Sequence, residues 1–462
     1  MVDKMEVFIT DNNSINIIKR LDFNYCKPRG KILSEDSKIE VKTICEWGGK
    51  NCLTTSAFYP AITHFYRSKK DRGDLIPFIR VEDTRKYLLE FKNTVFLDRE
   101  VLDDLKTNIK RVKNNDVVIT KGGEYIGEAA LVPDYYDEYA ICRDLLAIKT
   151  EFMPFSGQYL CTFFLSDHGK EEIMRTKSVQ GQPHLTLEKI REIKVPYFGI
   201  EFEEEVIEYW QSFFELINKS NSNLVRIENL LNTALKNKLF EEEINNYFSK
   251  KLTEVNLIRR MDVEYYQEKW SKLVCLLKSL NIKFENINIK KDRINKEEKE
   301  YKYIEIANID DRSGIIKGFS EKKYFDLPER AQWKIEYNDL LVSSLKGSKE
   351  KIALVDIEDN EDLVASNGFY VVKSDFLNPE VLYAIFRSRF YELFIEQMAT
   401  GSIMSAITNK YFQMLELPII NDEIQNDIQK EVQSYLENRK SAFENLELIK
   451  SKMNDMIEQI YS

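Results

Sequence analysis

The feature that most constrains this chain is that much of it is written twice. Arg20–Tyr25 reads RLDFNY and Arg260–Tyr265 reads RMDVEY, with Arg, Asp and Tyr in step. Ile76–Asp83 (IPFIRVED), a strand and turn, is answered by Tyr303–Asp310 (YIEIANID). Asn114–Gly123 (NNDVVITKGG), a turn, buried strand and glycine loop, is answered by Tyr337–Gly347 (YNDLLVSSLKG). Tyr139–Lys149 (YAICRDLLAIK), read as one further strand, has its match in Gly368–Asp375 (GFYVVKSD). Gln158–Ser166, which begins a helix, is echoed by Val381–Arg389, and Ser178–Pro196 by Met398–Pro418. The copies stand 240 residues apart at Arg20 and Arg260, 223 at Asp116 and Asp339, and 222 at Pro196 and Pro418. One order with a slowly shrinking offset defines a duplicated unit of about two hundred residues, far longer than a solenoid repeat. Each unit reads as an α+β domain.

A helical rod follows each copy. Apolar residues fall at Val206, Trp210, Phe213, Ile217, Leu224, Ile227, Leu231 and Ala234, with a polar gap at Ser220. That stepping is the seam of a coiled coil, and the rod from Val206 to Ala234 would be about 43 Å long. Such a rod needs a partner to bury its seam. Ala442, Leu446, Ile449, Met453, Met456 and Ile460, led in by Ile424, Ile428 and Tyr435, supply one. Rods from tandem copies bury each other most simply as an antiparallel pair, with approximate two-fold symmetry inside one chain. The predicted architecture is therefore a first α+β domain over 1–203, a long helix over 204–240 and a connector over 241–258. A second domain over 259–420 and a second long helix over 421–462 complete it. The groove of double-helical DNA repeats every ~34–36 Å, a distance such a rod spans.

Composition narrows the class. The 462 residues are 43% hydrophobic, ample for real cores. The net charge of −10 argues against a protein that coats nucleic acid, yet leaves room for basic loops that bind it locally. No apolar run approaches membrane-span length, and MVDKMEVFITDNN lacks the regions of a signal peptide. Cys26, Cys45, Cys52, Cys142, Cys161 and Cys275 form no CxxC pair and read as free thiols of a cytosolic protein.

Catalytic patterns do not assemble. His64, His168 and His184 lie in dissimilar contexts without metal-ligand spacing. Lys121–Gly127 (KGGEYIG) lacks both the G-K-[ST] ending of a P-loop and dinucleotide-site spacing. Pro133-Asp134 could begin a nuclease motif, but Ala147 occupies the carboxylate position before Lys149. No Asn/Asp-Pro-Pro-aromatic methyltransferase tetrapeptide occurs. The chain is expected to hold and position, with no catalytic residues, no metal and no cofactor of its own.

Taken together, RLDFNY, RMDVEYYQEKW, NNDVVITKGGEYIG, GQPHLTLEKIREIKVP and the long helices resemble the specificity subunit of type I restriction–modification systems. The resemblance runs from about Arg20 to the C-terminus. It implies two target-recognition domains, each reading one half of a split double-stranded DNA target, with the helices setting the spacer between the halves. It also implies two methyltransferase subunits as partners, which carry S-adenosylmethionine and methylate adenine N6 after base flipping. A translocating endonuclease subunit and a prokaryotic cytoplasm belong to the same implication. The second copy departs where GSIMSAITNKYF replaces GQPHLTLEKI and where Ser344-Leu345-Lys346-Gly347 replaces the double glycine.

Reading needs donors and acceptors at base edges and cations at phosphates. In the first copy the candidates are Lys121, Gly122, Gly123, Tyr125, Gln180 and Gln182, with Lys106, Lys110 and Arg111 for the backbone. In the second they are Ser343, Ser344, Lys346, Ser348, Lys349 and Lys351, with Lys290, Lys291 and Arg293 for phosphates. A single lysine in such a loop is more commonly a solvated one, so the loops as groups carry the expectation. Arg20-Asp22 and Arg260-Asp262 read as structural pairs. The acidic balance favours a second possibility, a scaffold or decoy that binds methyltransferase or nuclease subunits without reading DNA.

Overall fold

The computed structural model describes residues 39–461 except 58–61, 69–72, 86–87, 90–93, 105–108, 123–124, 177–183, 238–262, 295–296, 349, 358–361 and 401–405. The 20–25 motif, the 241–258 connector and positions 260–262 lie outside the described residues. Two compact units emerge, one comprising the chain to Phe213 together with Phe443 onward, the other Phe214–Ala442.

The first unit contains β1 (Glu40–Thr43), β2 (Leu53–Thr55), β3 (Leu75–Ile79), a hairpin of β4 (Thr84–Arg85) and β5 (Leu88–Leu89), and β6 (Val95–Asp98). It continues with β7 (Arg111–Val112), β8 (Val117–Thr120), β9 (Ala129–Leu131), β10 (Tyr139–Ile141), β11 (Leu145–Ile148) and β12 (Lys194–Tyr197). These strands form sheets ordered β6-β3-β10-β7 and β2-β11-β8-β9, plus a β1–β12 ribbon. Strand β10 runs parallel to β3, whereas the second sheet is antiparallel throughout. Strands β8 (VVIT) and β11 (LLAI) are buried at every position. One face packs on the first sheet, where Val118 and Ala147 join Phe78 and Ile141. The helix Gly157–Leu165 covers β8 and β9 from the other side. Two covered faces explain a continuous apolar run where a half-exposed strand would alternate.

The second unit repeats this plan. It contains β13 (Phe284–Asn286), β14 (Asn288–Lys290), β15 (Glu300–Ile304), β16 (Ser320–Lys323) and β17 (Ala331–Lys334). Then follow β18 (Leu340–Ser343), β19 (Ile352–Leu354), β20 (Leu363–Ser366), β21 (Phe369–Lys373) and β22 (Glu416–Pro418). The sheets are β16-β15-β20-β17 and β14-β21-β18-β19, with a β13–β22 ribbon. Strand for strand the order matches the first unit, and β15 and β20 are parallel where β3 and β10 are. Even the turns match. Asn115 (φ 72°) and Asn338 (φ 66°) both adopt the left-handed conformation that asparagine tolerates. The next residue closes each turn: Asp116 accepts from Lys113 N at 2.9 Å, Asp339 from Glu336 N at 2.8 Å.

One expectation is corrected here. Tyr139–Lys149 is two strands, β10 and β11, separated by Cys142-Arg143-Asp144. The counterpart of GFYVVK is β11 alone, and β10 corresponds to β20. Apolar residues flank this turn on both sides, so Arg143-Asp144 was its sole polar signal.

The first long helix spans Ile200–Ala234, 35 residues, and the second Asp422–Tyr461, 40 residues. They pair antiparallel. In the first unit Lys452 salt-bridges Glu205 and Asn445 Nδ2 donates to Ser212 Oγ at 3.0 Å. In the second unit Asn223 Nδ2 donates to Glu431 at 2.6 Å, and Asn223 Oδ1 accepts from Asn438 Nδ2 at 3.2 Å. The seam differs from expectation in two places. Ser220 is no gap: buried positions continue through Ser220 and Asn223 to Ile227, Leu231 and Leu235, while Leu224 is half-buried. On the second helix Val432 and Arg439 join the seam, and Ile457 takes the place expected of Met456. Asn223 enters because Glu431 and Asn438 satisfy its amide, which removes the penalty of burying it. Among the described residues no helix is long and apolar enough to cross a membrane.

Candidate nucleic-acid interface

In the first unit, β8 delivers Lys121 to the sheet edge. Lys121 N donates to Asp144 O at 2.8 Å, and its own carbonyl accepts from Leu185 N at 2.9 Å. The Lys121 ammonium reaches Thr55 Oγ1 at 3.4 Å, and the neighbouring Ser56 Oγ accepts from Lys110 N at 2.9 Å. Thr55-Ser56 therefore links the Lys110 backbone to the Lys121 side chain, although the adjoining strands β7 and β8 lie in different sheets. Lys110 is exposed and Tyr125 half-buried. Gly122 lies under the imidazole of His184: a Cβ there would lie 2.9 Å from the ring, so a larger residue would displace it. Arg111 stands apart, with its guanidinium held by Asp103 at 2.5 Å and Glu138 at 3.3 Å. Lys106, Gly123, Gln180 and Gln182 lie outside the described residues.

The second unit builds the same edge with other side chains. Ser344 N donates to Gly368 O at 2.9 Å, and Ser344 O accepts from Ile407 N at 2.9 Å. Ser344 thus occupies the position of Lys121, with Gly368 for Asp144 and Ile407 for Leu185. Ser343 is fully buried, and Lys346–Ser348 forms a single 3-10 turn. Lys346 and Ser348 are half-buried there, and Lys351 Nζ donates to Ile309 O at 2.5 Å. Lys349 lies outside the described residues. Lys291 and Arg293 are exposed, the latter with its guanidinium 5.9 Å from the Trp333 ring.

Lys290 is not gathered to this edge. Its side chain is 9% exposed, with the ammonium 3.1 Å from Asp339 and 3.0 Å from Glu336, at the end of β18 remote from Ser343. The Lys290 hydrogen bond holds the Glu336 carboxyl below its ordinary range.

Beside these candidates the structure also places Thr55, Ser56, Arg143 and His184 at the first unit's edge, none of which the sequence pattern offers as a contact residue. Arg143 and Asp144 form the exposed turn beside Lys121. Nothing local in the Ser178–Ile190 segment announces that His184 lies against Gly122. Buried groups nearby are chemically quiet. Burial pushes the Cys52 and Cys142 thiols up to about 11 and the Tyr370 hydroxyl up to about 12.

The fold and its edges define a tandem α+β protein whose two units present one loop scaffold with different side chains, on a paired antiparallel helix stem. The structure is similar to the crystal structure of a type I restriction–modification S subunit from M. genitalium. That match has a TM-score of 0.40 and 9% identity, covering 93% of this chain and 98% of the other. It is also similar to the HsdS subunit from Thermoanaerobacter tengcongensis (TM-score 0.29, 12% identity, 92% and 96% covered). A third similar structure comes from work on assembly and conformational transition of the type I R-M system (TM-score 0.28, 13% identity, 94% and 98% covered). No protein-family model and no curated protein matches the sequence.

Proposed function

We propose that this chain is the DNA-specificity subunit of a type I restriction–modification complex. Each unit reads one half of a bipartite double-stranded target, the paired helices set the spacer, and adenine-N6 methyltransferase subunits are positioned on the assembled site. In this reading S-adenosylmethionine and catalysis belong to those partners, and an endonuclease subunit joins the same assembly. The observation that carries the reading is the duplicated strand order with a divergent loop at the same strand edge. Lys121 stands where Ser344 stands, and Gly122 where Leu345 does, so one backbone scaffold displays two chemistries. That is what two different half-sites require of a duplicated domain, because bases are told apart by side-chain donors and acceptors.

The test is to purify the chain with its methyltransferase subunits and sequence methylated adenines in randomised duplex DNA. The expected result is one asymmetric split motif with a fixed spacer. Methylation without sequence preference removes the proposal in favour of a scaffold or decoy.

A further inference from the structure

We infer that Arg387 is the positioning residue of the second unit's reading loop, and that it governs how strictly one half-site is discriminated; this rests on the reading of that unit as a DNA-recognition head. Arg387 is the C-cap of helix Pro379–Phe386. Its Nη1 donates to the carbonyls of Glu350 at 2.9 Å and Ile352 at 3.4 Å. Its Nη2 donates to Asp311 O at 3.2 Å and to Arg312 O. One planar fork therefore ties the 310–317 loop to the segment that closes the Ser343–Lys351 loop.

The surroundings are shaped for this contact. The ring of Tyr383 lies 5.5 Å from the guanidinium, and its hydroxyl donates to Ser313 O at 2.5 Å. Gly314 has φ +68°, and a Cβ there would sit 2.2 Å from Ile352 O. The 310–317 loop is itself stiff, since Asp310 accepts from Ser313 N at 2.9 Å and pairs with Lys317 at 2.8 Å. Guanidinium offers several donors in a fixed plane, so it spans both loops at once, which a single ammonium cannot.

The first unit solves the same problem without charge. Ser166 and Ser388 both hydrogen-bond back into the preceding helix, at Phe163 O and Ile385 O, which aligns Leu165 with Arg387. There the β4–β5 hairpin, with Leu88 and Leu89 buried, packs on β9. The consequence is asymmetric: loss of the fork acts on one half-site alone.

The experiment compares wild type, Arg387→Lys and Arg387→Ala, each assembled with methyltransferase subunits, by sequencing methylated sites from randomised DNA and by thermal melting. Arg387→Lys is expected to keep the first half-site and the spacer while discrimination at the second falls by about tenfold. An unchanged second half-site overturns the inference. Equal relaxation of both halves, or failure of both variants to assemble, assigns Arg387 to general folding and also overturns it. A wild-type complex with no split motif would instead bring down the head reading itself, and the inference with it.

Discussion

At the scale of single residues, the edge of each unit separates cations that are available from cations that are spent. Lys110 is exposed and Lys121 reaches a neutral hydroxyl, Thr55 Oγ1, whereas Lys290 is consumed by Asp339 and Glu336 and Arg111 by Asp103 and Glu138. If Lys121 or Lys346 neutralises a phosphate, replacing it with alanine should weaken binding of the assembled complex. The slope of log K against log salt should then become shallower by about one. An unaltered slope would return that lysine to solvent.

Asp310 gives a pH prediction. Burial works to raise its carboxyl, but Lys317 and Ser313 outweigh burial and hold it well below the ordinary carboxylate range. A depressed folded-state value means stability that is present above the unfolded value of about 3.9 and lost as pH falls below it. Lys317→Ala should cost ~1–2 kcal/mol at neutral pH and move acid unfolding to higher pH. An acid midpoint that stays put in a pH titration of circular dichroism would sink this assignment.

At the scale of elements, the helix pair carries a polar layer where a simple seam was expected. Ser220 is buried with its hydroxyl turned back to Ile217 O, and the buried Asn223 amide is satisfied from both sides by Glu431 and Asn438. Asn223→Ala would remove the buried amide while leaving Glu431 to Arg226 and Asn438 to Ser434, and should lower stability by ~0.5–1.5 kcal/mol in denaturant unfolding. A neutral result would mean that water replaces the amide at no cost. A buried polar pair of this kind favours one register over its neighbours.

Much of this level was legible beforehand. The duplication, both rods and the strand-turn at Asn114–Gly123 follow from local pattern and its recurrence. What was not legible depends on distant partners. Nothing in Tyr139–Ile141 says that β10 will lie parallel to β3, and nothing near Lys290 says that Asp339 will claim it. Asn223 reads as a seam breaker until Glu431 and Asn438 are placed beside it. His184 lacks ligand spacing in the sequence, and its seat on Gly122 depends on a chain return of some sixty residues that no periodicity encodes.

At the scale of the whole molecule, each long helix is divided between the units, the first at Phe213 and the second at Ala442. A seven-residue insertion in one helix alone would leave its seam unmatched. Matched heptads placed after Phe213 and before Phe443 keep the seam and leave each unit's internal contacts alone. Such a variant lengthens the paired helices by about 10 Å. The methylated motif should keep both half-sites and gain a longer spacer. Altered half-sites with the old spacer, read by the same sequencing, would contradict the ruler role.

That division also bears on how the protein is made. Val206, Trp210 and Phe213 are buried in the first unit; the Trp210 indole N–H donates to Thr162, while Phe213 packs edge-on against Phe443, 6.1 Å away on the unit's C-terminal segment. A ribosome has to translate the entire second unit before the first can be sealed. Nascent chains halted in between lack the partner of Phe213 and leave that ring more open, the kind of surface chaperones and proteases survey.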